Sequence, residues 1–406
     1  MPERVPDPFP VSSTRVTTNR IPQTVWVLGL VSMLMDISSE MIHSLLPVFM
    51  VTVLGASATM VGVIEGIAES TALIVKVFSG VLSDFLGRRK WLAVAGYAMG
   101  AASKPIFALA PVLGWVFAAR FLDRIGKGIR GAPRDALIAD VTPAAIRGAA
   151  FGLRQSLDTV GAFTGPLVAM ALMLLWHNDF RAVFWVAVVP GVLAVMLLAL
   201  AVKEPKPAAD ATPAKAFPIS RTALARMPRA YWWVVAVGAL LTLARFSEAF
   251  LVLRAQQGGL RLAFIPLVLI LMNVVYAVAA YPLGALADRW PHRRLLLLGI
   301  VPLVAADVVL AHSAATGWVA GGLVLWGVHM AATQGLLAAM VADSAPADMR
   351  GTAFGLFNLG SGLAMLVASV IAGVMWDQFG AASTFQTGAG FAVLALLLLL
   401  WIKSRD

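Results

Sequence analysis

The sequence predicts an all-α integral membrane protein: twelve transmembrane helices in two pseudo-symmetric six-helix bundles. Three observations carry this. The chain of 406 residues is 60% hydrophobic and only 13% charged, against about 25% charged in an ordinary soluble protein. Its mean hydropathy is +0.85. Apolar runs such as "VFWVAVVPGVLAVMLLALAV" (183–202) recur along its length. And the chain repeats itself at an offset of about half its length.

A membrane-spanning helix needs about 20 apolar residues. Segments of that kind fall at 24–54, 59–83, 91–110, 114–138, 148–174, 181–202, 230–252, 262–287, 293–312, 316–341, 351–375 and 383–402. Gly and Pro inside them are compatible with membrane helices. Residues 1–23 form a polar, Pro-containing tail, 24–202 the first bundle, 203–229 a Pro-, Ala- and Lys-rich linker, 230–402 the second bundle and 403–406 a short tail.

The net charge of +10 invites a nucleic-acid reading, and the distribution of charge excludes it. Outside the spans, nineteen Lys and Arg fall on the side of the termini. Only Arg181, Arg254 and Arg261 fall on the other. That asymmetry is the positive-inside signature. It places both termini in the cytoplasm and the protein in the inner (cytoplasmic) membrane, with the lipid bilayer as its main partner. There is no cysteine, hence no disulfide framework. No signal peptide is visible: the first apolar run is too long for a signal core and contains Asp36 and Glu40.

Two motifs recur at nearly one offset. "GVLSDFLGRRK" (80–90) returns as "GALADRWPHRR" (284–294), and "ADVTPAAIRGAAFG" (139–152) as "ADSAPADMRGTAFG" (342–355). Both fall in loops on the side of the termini. Such a pair predicts parallel structural repeats related by an axis along the membrane normal.

On these motifs the chain resembles the major facilitator superfamily along essentially its whole length. "GVLSDFLGRRK" matches that superfamily's loop motif between helices 2 and 3, placing Gly80, Asp84, Gly87, Arg88 and Arg89 in a gate. The resemblance implies that Asp84 meets the start of helix 11, near Arg350, in one conformation, where a helix N-terminus attracts a carboxylate. The second copy is degenerate, with Pro291 and His292 at the Gly87 and Arg88 positions. "ARFLD" sets Arg120 on the helix 4 motif, although Asp123 and Arg124 depart from its usual Gln and Gly. In helix 5, Gly152, Gly161 and Gly165-Pro166 resemble the superfamily's antiporter motif, with Ala169 in place of its last Gly. In helix 11, Ala364, Ala368 and Ser369 occupy the equivalent positions, so the motif is confined to the first half. "DISSEMI" and "GKGIRGAPRDALIAD" look like a bacterial subgroup of the superfamily. The resemblance implies a secondary transporter, not an enzyme, working by alternating access, with a small-molecule substrate between the bundles. Export in exchange for protons is the first expectation, led by helix 5. Proton-coupled uptake of an anionic metabolite or metal chelate is the alternative, and a flippase or sensor is a more distant one. No G-x-x-x-x-G-K-[ST] loop is present, so no nucleotide cofactor is expected and the proton gradient is the expected energy source. A monomer is expected.

Ionisable residues inside spans mark function by default. At about 100° per residue, Asp36, Glu40 and His43 share one face of helix 1. Glu65, Glu69 and Lys76 share a face of helix 2, and Arg154, Asp158, Gly161 and Gly165 a face of helix 5. Asp36, Glu40, Glu65 and Glu69 are the candidate proton carriers, since burial makes a carboxyl group able to load and release a proton near neutrality. Structural ion pairing is the competing reading, favoured for Arg154 and Asp158 at i, i+4. The cavity candidates are His43, Arg120, Asp123, Arg124, Lys127, Arg130, Arg154, Asp158, Arg245, Glu248 and Asn273. Glu40 and Glu248 share an "SE" context, and Glu69 aligns with Asn273 at an offset of 204. Either pair faces the other across the cavity or is a residue of the duplication.

Two further readings are set aside. Met33, Met35, Asp36, Glu40, Met41 and His43, with His329 and Met330, contain metal-ligand types. Met is also a common core filler and no Cys is present, so no metal site is assigned. "GKGIRG" (126–131) matches G-x-G-x-x-G, but a dinucleotide loop needs a preceding strand and a βαβ unit. Here "VLGWVFAARFLD" precedes it within a span. The glycines then serve close packing. Arg120, Asp123, Arg124, Lys127, Arg130, Arg134 and Asp135 form one charged helical face, provided Pro133 does not break the helix. Trp115, Trp176, Trp185, Trp232 and Trp233 read as interfacial anchors.

Overall fold

A computed structural model describes residues 21–86, 88–143, 146–203, 221–287, 290–346 and 349–403. Gly87, the side chain of Asp84 and residues 204–220 of the expected linker lie outside the described residues. The protein is all-helical. The first span is made of α1 (Gln23–His43) and α2 (Leu46–Thr52), followed by α3 (Ala58–Leu86), α4 (Arg89–Leu109), α5 (Leu113–Val141), α6 (Arg147–Leu175) and α7 (Phe180–Ala201). A short α8 (Arg221–Arg226) precedes the second set: α9 (Arg229–Ala244) with α10 (Ala249–Gln257), α11 (Leu267–Ala287), α12 (His292–His312), α13 (Thr316–Ser344), α14 (Arg350–Phe379) and α15 (Ala381–Lys403).

Ten of these twelve segments are long and apolar enough to cross a membrane on length and composition alone. The other two, α3 and α5, are 29 residues each, about 43 Å at 1.5 Å per residue. Both carry charges mid-helix: Glu65, Glu69 and Lys76 in α3, and Arg120 to Arg134 in α5. Pro133 lies inside α5 without ending it. In the apolar interior the alternative to the helix is a run of unsatisfied backbone groups.

Two spans expected to be continuous are broken. The first span breaks at Ser44–Leu45 and the seventh at Arg245–Glu248. These are equivalent places in the two halves, since Ser44 and Glu248 are 204 residues apart. By the same register Glu40 corresponds to Ala244, so the shared "SE" context of Glu40 and Glu248 is one turn out of step with the repeat.

Helices α1, α4, α5, α6 and α7 pack on one another, as do α9, α11, α12, α13 and α15. Between the halves, α3 runs against α14, α2 against α10, and α6 against α11. Twelve spans among the described residues return the chain to the face it started from, so the start of α1 and the end of α15, next to the termini, lie on one face. On the opposite face the two halves share one buried apolar cluster, with Leu46 and Phe49 of α2 and Val61 of α3 beside Phe250 and Leu253 of α10 and Ala372 of α14. Within the second half Phe246, Phe250, Trp326, Trp376 and Phe385 pack with ring centroids 5.6–6.4 Å apart. There the Asp377 carboxylate of α14 accepts hydrogen bonds from the backbone N–H groups of Ala58 (3.0 Å) and Thr59 (2.8 Å), at the start of α3. This is an N-cap supplied by the other bundle.

The sparse positive charge of that face also has a structural use. Arg181 donates to the carbonyls of Ala108 (2.8 Å) and Ala110 (2.7 Å) at the end of α4. Arg254, expected in a loop, is a buried residue of α10 and donates to Leu310 O (2.9 Å) at the end of α12. Each supplies partners to carbonyls that a helix C-terminus leaves unsatisfied. The five tryptophans expected at the interface are all exposed on the apolar surface, whereas Trp326 is buried.

Candidate functional site: a charged cavity between the bundles

Two contiguous cavities separate the halves. The deeper, of about 310 Å³, is lined by α1, α3, α5 and α6 on one side and by the α9–α10 break, α11, α13 and α14 on the other. The second, of about 560 Å³, shares Glu40, Glu69, Lys127, Ala162 and Asn273 with the first. It reaches Arg134 and Gln155, about two turns from the ends of α5 and α6 on the face of the termini.

The charged face of α5 is divided among its neighbours. Arg120 Nη2 donates to Glu65 Oε2 at 2.6 Å and lies 3.4 Å from Glu69 Oε1. Arg124 Nη2 is 3.1 Å from Glu69 Oε1. Asp123 accepts from Lys104 Nζ of α4 at 2.8 Å, and Lys104 also donates to Ser39 Oγ at 3.0 Å. Arg130 stacks over the Tyr97 ring at 4.9 Å, and Arg134 Nη1 donates to Ser32 Oγ at 2.9 Å, which in turn bonds the Tyr97 hydroxyl. Glu65, Lys104, Arg120, Asp123 and Arg124 are all buried. Burying a charge is costly unless it is paired, and these cations and carboxylates meet that condition. Glu65 and Glu69, expected as proton carriers, are each held by arginine.

Lys127 differs. It is exposed to both cavities and has no hydrogen bond or ion pair among the described residues. The side chain of Arg245, at the α9–α10 break, likewise has no hydrogen bond or ion pair among the described residues. The break that presents it was invisible in "LARFSEAF", which has no Gly or Pro.

On α1 the two carboxylates have different surroundings. Glu40 Oε2 is 3.4 Å from His43 Nδ1, and His43 Nε2 is 3.9 Å from Glu65 Oε2. Asp36 lines the larger cavity and has no hydrogen bond or ion pair among the described residues. Arg154 and Asp158 pair within α6 at 2.7 Å. Glu40 and Glu248 line the same cavity, as do Glu69 and Asn273.

One group among the described residues, His43, Glu65 and Glu69, brings its ligand atoms within 4.8 Å. Both carboxylates in it already accept from arginine, so the donor set is an ion-pair network and does not fit a metal. His329 is buried, with Nδ1 2.7 Å from the Gly299 carbonyl.

Residues 28–260 and 248–406 match the family description "Major Facilitator Superfamily". The chain belongs to the major facilitator superfamily. It is a membrane transporter rather than an enzyme. An uncharacterized MFS-type transporter of Methanocaldococcus jannaschii, MJ1317, is 32% identical over 388 residues, covering 94% of this chain and 95% of that one. The inner membrane transport protein YajR of Escherichia coli is 24% identical, over 94% of this chain and 83% of its own. Among solved structures, a mutant form of the nucleoside transporter NupG superposes with a TM-score of 0.79 over 93% of this chain and 99% of its own, at 13% identity. That likeness is one of fold.

Within this superfamily frame the glycines fall into place. A Cβ at Gly161 would lie 2.7 Å from Met33 O and 3.0 Å from Asp36 Cβ. One at Gly165 would lie 2.8 Å from Ile37 O and 2.9 Å from Glu40 Cβ. Two glycines of α6 therefore seat the turns of α1 that carry Asp36 and Glu40. Gly152 has open space around it and takes no part in that contact. In "GKGIRG", a Cβ at Gly126 would meet Gly100 N of α4 at 3.0 Å, and one at Gly128 would meet Val75 Cβ of α3 at 2.7 Å. The fingerprint is a double helix-crossing point. In the loop motif expected to form a gate, Arg88 is the exposed N-cap residue of α4 and Arg89 pairs with Asp140 of α5. Gly80 approaches Ala132 Cβ at 3.7 Å.

Proposed function

We propose that this transporter is a proton-coupled antiporter that exports a small organic molecule by alternating access, with the coupling proton carried on α1. The observation that carries the reading is the seating of Asp36 and Glu40 against Gly161 and Gly165. The glycines of the antiporter-like motif and the carboxylates of "DISSEMI" are two sides of one contact. Asp36 faces the cavity with no cation at ion-pair distance among the described residues, and Glu40 has an imidazole as its ion-pair partner. A carboxyl group that can be neutral in one conformation and charged in another is what coupling needs. Glu65 and Glu69, held by Arg120 and Arg124, are the fixed part of the same site.

The apolar contact between the halves on the face opposite the termini, with the cavity reaching toward the termini, supports a conformation open to the side of the termini. The excess of Lys and Arg on that side supports a cytoplasmic location for both termini, in the inner membrane where YajR is named as residing. The unit of function is the single chain, because the cavity is closed by its own two bundles.

The reading is tested with purified protein in proteoliposomes, driving flux of a substrate panel with pH gradients of both signs. Antiport requires uptake into vesicles that are acid inside. Stimulation solely by an acid exterior contradicts it in favour of symport.

A further inference from the structure

Resting on the transporter reading, the chemistry of the cavity's ligand follows from which of its charges are already used. Three carboxylates and three basic side chains line the deeper cavity: Glu40, Glu69 and Glu248 against Arg124, Lys127 and Arg245. Glu69 is taken up by Arg124 at 3.1 Å and Glu40 faces His43 at 3.4 Å. The arginines that dominate the sequence of α5 are therefore unavailable, Arg120 and Arg124 being held by α3 and Arg130 lying on Tyr97. Two cations are left, and they come from opposite bundles: Lys127 from α5, and Arg245 from the α9–α10 break. Glu248, three residues from Arg245, is the one carboxylate of this cavity with no partner among the described residues. It offsets one of the two.

Burying a charged side chain is costly unless it is paired. Lys127 and Arg245 make no side-chain hydrogen bond or ion pair among the described residues, with Asp36 and Glu248 as carboxylates at longer range, and their free donors face one space that an anion can complete. The wall around Arg245 is apolar and aromatic, with Phe246, Trp326, Met330 and Met365 lining the cavity. A volume of about 310 Å³ is in the range of small-molecule sites. We infer that Lys127 and Arg245 form a two-bundle clamp for the anionic head of a small organic acid, with its apolar body against Phe246 and Trp326. The head is a carboxylate or a group of like charge, for which the fork of arginine is suited. A ligand held by one cation from each bundle also draws the two halves together, which ties binding to the rocking movement.

The test uses full-length protein in detergent and needs no gradient, so it fails or succeeds independently of proton coupling. Thermal stabilisation is titrated with benzoate, phenylacetate, phenylphosphonate and octanoate, each beside its neutral amide or alcohol, and with benzylamine. At least one of the acids is expected to raise the melting temperature saturably while its neutral counterpart and benzylamine do not. Lys127→Gln and Arg245→Gln are each expected to weaken that binding by about tenfold or more, the scale of one charge-assisted hydrogen bond. Arg245→Lys should recover part of it. Recovery by Lys, together with an unchanged melting temperature of the unliganded variants, separates a lost contact from a misfolded protein. Stabilisation by benzylamine and by none of the acids overturns the inference. So does stabilisation by an acid that survives both substitutions, or a panel in which no acid stabilises.

Discussion

Gly165→Ala probes the contact on which the functional reading rests. The added Cβ would lie 2.8 Å from Ile37 O and 3.2 Å from Ile37 Cα, with ordinary contact beginning at 3.4 Å. Those are backbone atoms of α1, so no side chain can turn aside, and α1 and α6 must separate by about 0.6 Å, the difference between 3.4 and 2.8 Å. Overpacking of this kind costs about 1–3 kcal/mol, and the better helix propensity of Ala returns about 1 kcal/mol. The expected net loss is about 0–2 kcal/mol, small enough for the protein to fold. Function is expected to suffer more, because the displaced turn is the one carrying Glu40. In proteoliposomes the variant should show an increased passive proton leak, read with an enclosed pH dye, and reduced gradient-driven exchange. Gly152→Ala, at a motif position with open space around it, should behave as the parent and gain up to about 1 kcal/mol. Parent-like leak and exchange in Gly165→Ala, or equal damage from Gly152→Ala, would refute the role assigned to the α1–α6 contact.

Three other outcomes follow from the geometry. Asp377→Ala removes the cross-bundle N-cap of α3, a loss of about 0.5–2 kcal/mol, and should favour opening of the face opposite the termini by ~2- to 30-fold. The chain has no cysteine, so a single Ala162→Cys in the cavity reports this as faster modification by a reagent arriving from that face, and an unchanged rate would count against the latch. Arg120→Leu leaves Glu65 buried without its partner and should destabilise the protein by about 3–5 kcal/mol. The double change Arg120→Leu with Glu65→Leu should melt well above the single one, and additive losses would show that the pair is not the unit. Asp307 is buried with neither carboxylate oxygen hydrogen-bonded among the described residues. Asp307→Asn should therefore melt at or above the parent's temperature, whereas a fall of several degrees would reveal a counter-charge.

The fold was legible in the sequence because both of its signals are long-range and redundant: apolar length, and two motifs repeated near one offset. Local pairs were legible too. Arg154 and Asp158 lie four apart on one helix, and spacing alone brings them together. The partners across helices were not. Spacing grouped Arg120 with Asp123 and Arg124 on one face of α5. It could not say that Arg120 turns to Glu65 of α3, Asp123 to Lys104 of α4, and Lys127 to the open cavity, since those choices are made by helix rotation and depth. The Arg245–Glu248 break had no Gly or Pro to announce it. A comparison with Ser44–Leu45 in the first half, followed by Pro47, was the one available hint. Asp377 went unnoticed because an N-cap given by another helix leaves no local pattern.

Asp36 is the carboxylate on which the coupling account turns, so its substitution is the most direct test. Asp36→Asn is compared with the parent in proteoliposomes for two reactions of one substrate: counterflow exchange without a pH gradient, and accumulation driven by an acid interior. The account requires that counterflow survives and that gradient-driven accumulation is abolished. Full accumulation in Asp36→Asn, and again when Glu40→Gln is added, contradicts the assignment of the proton to α1.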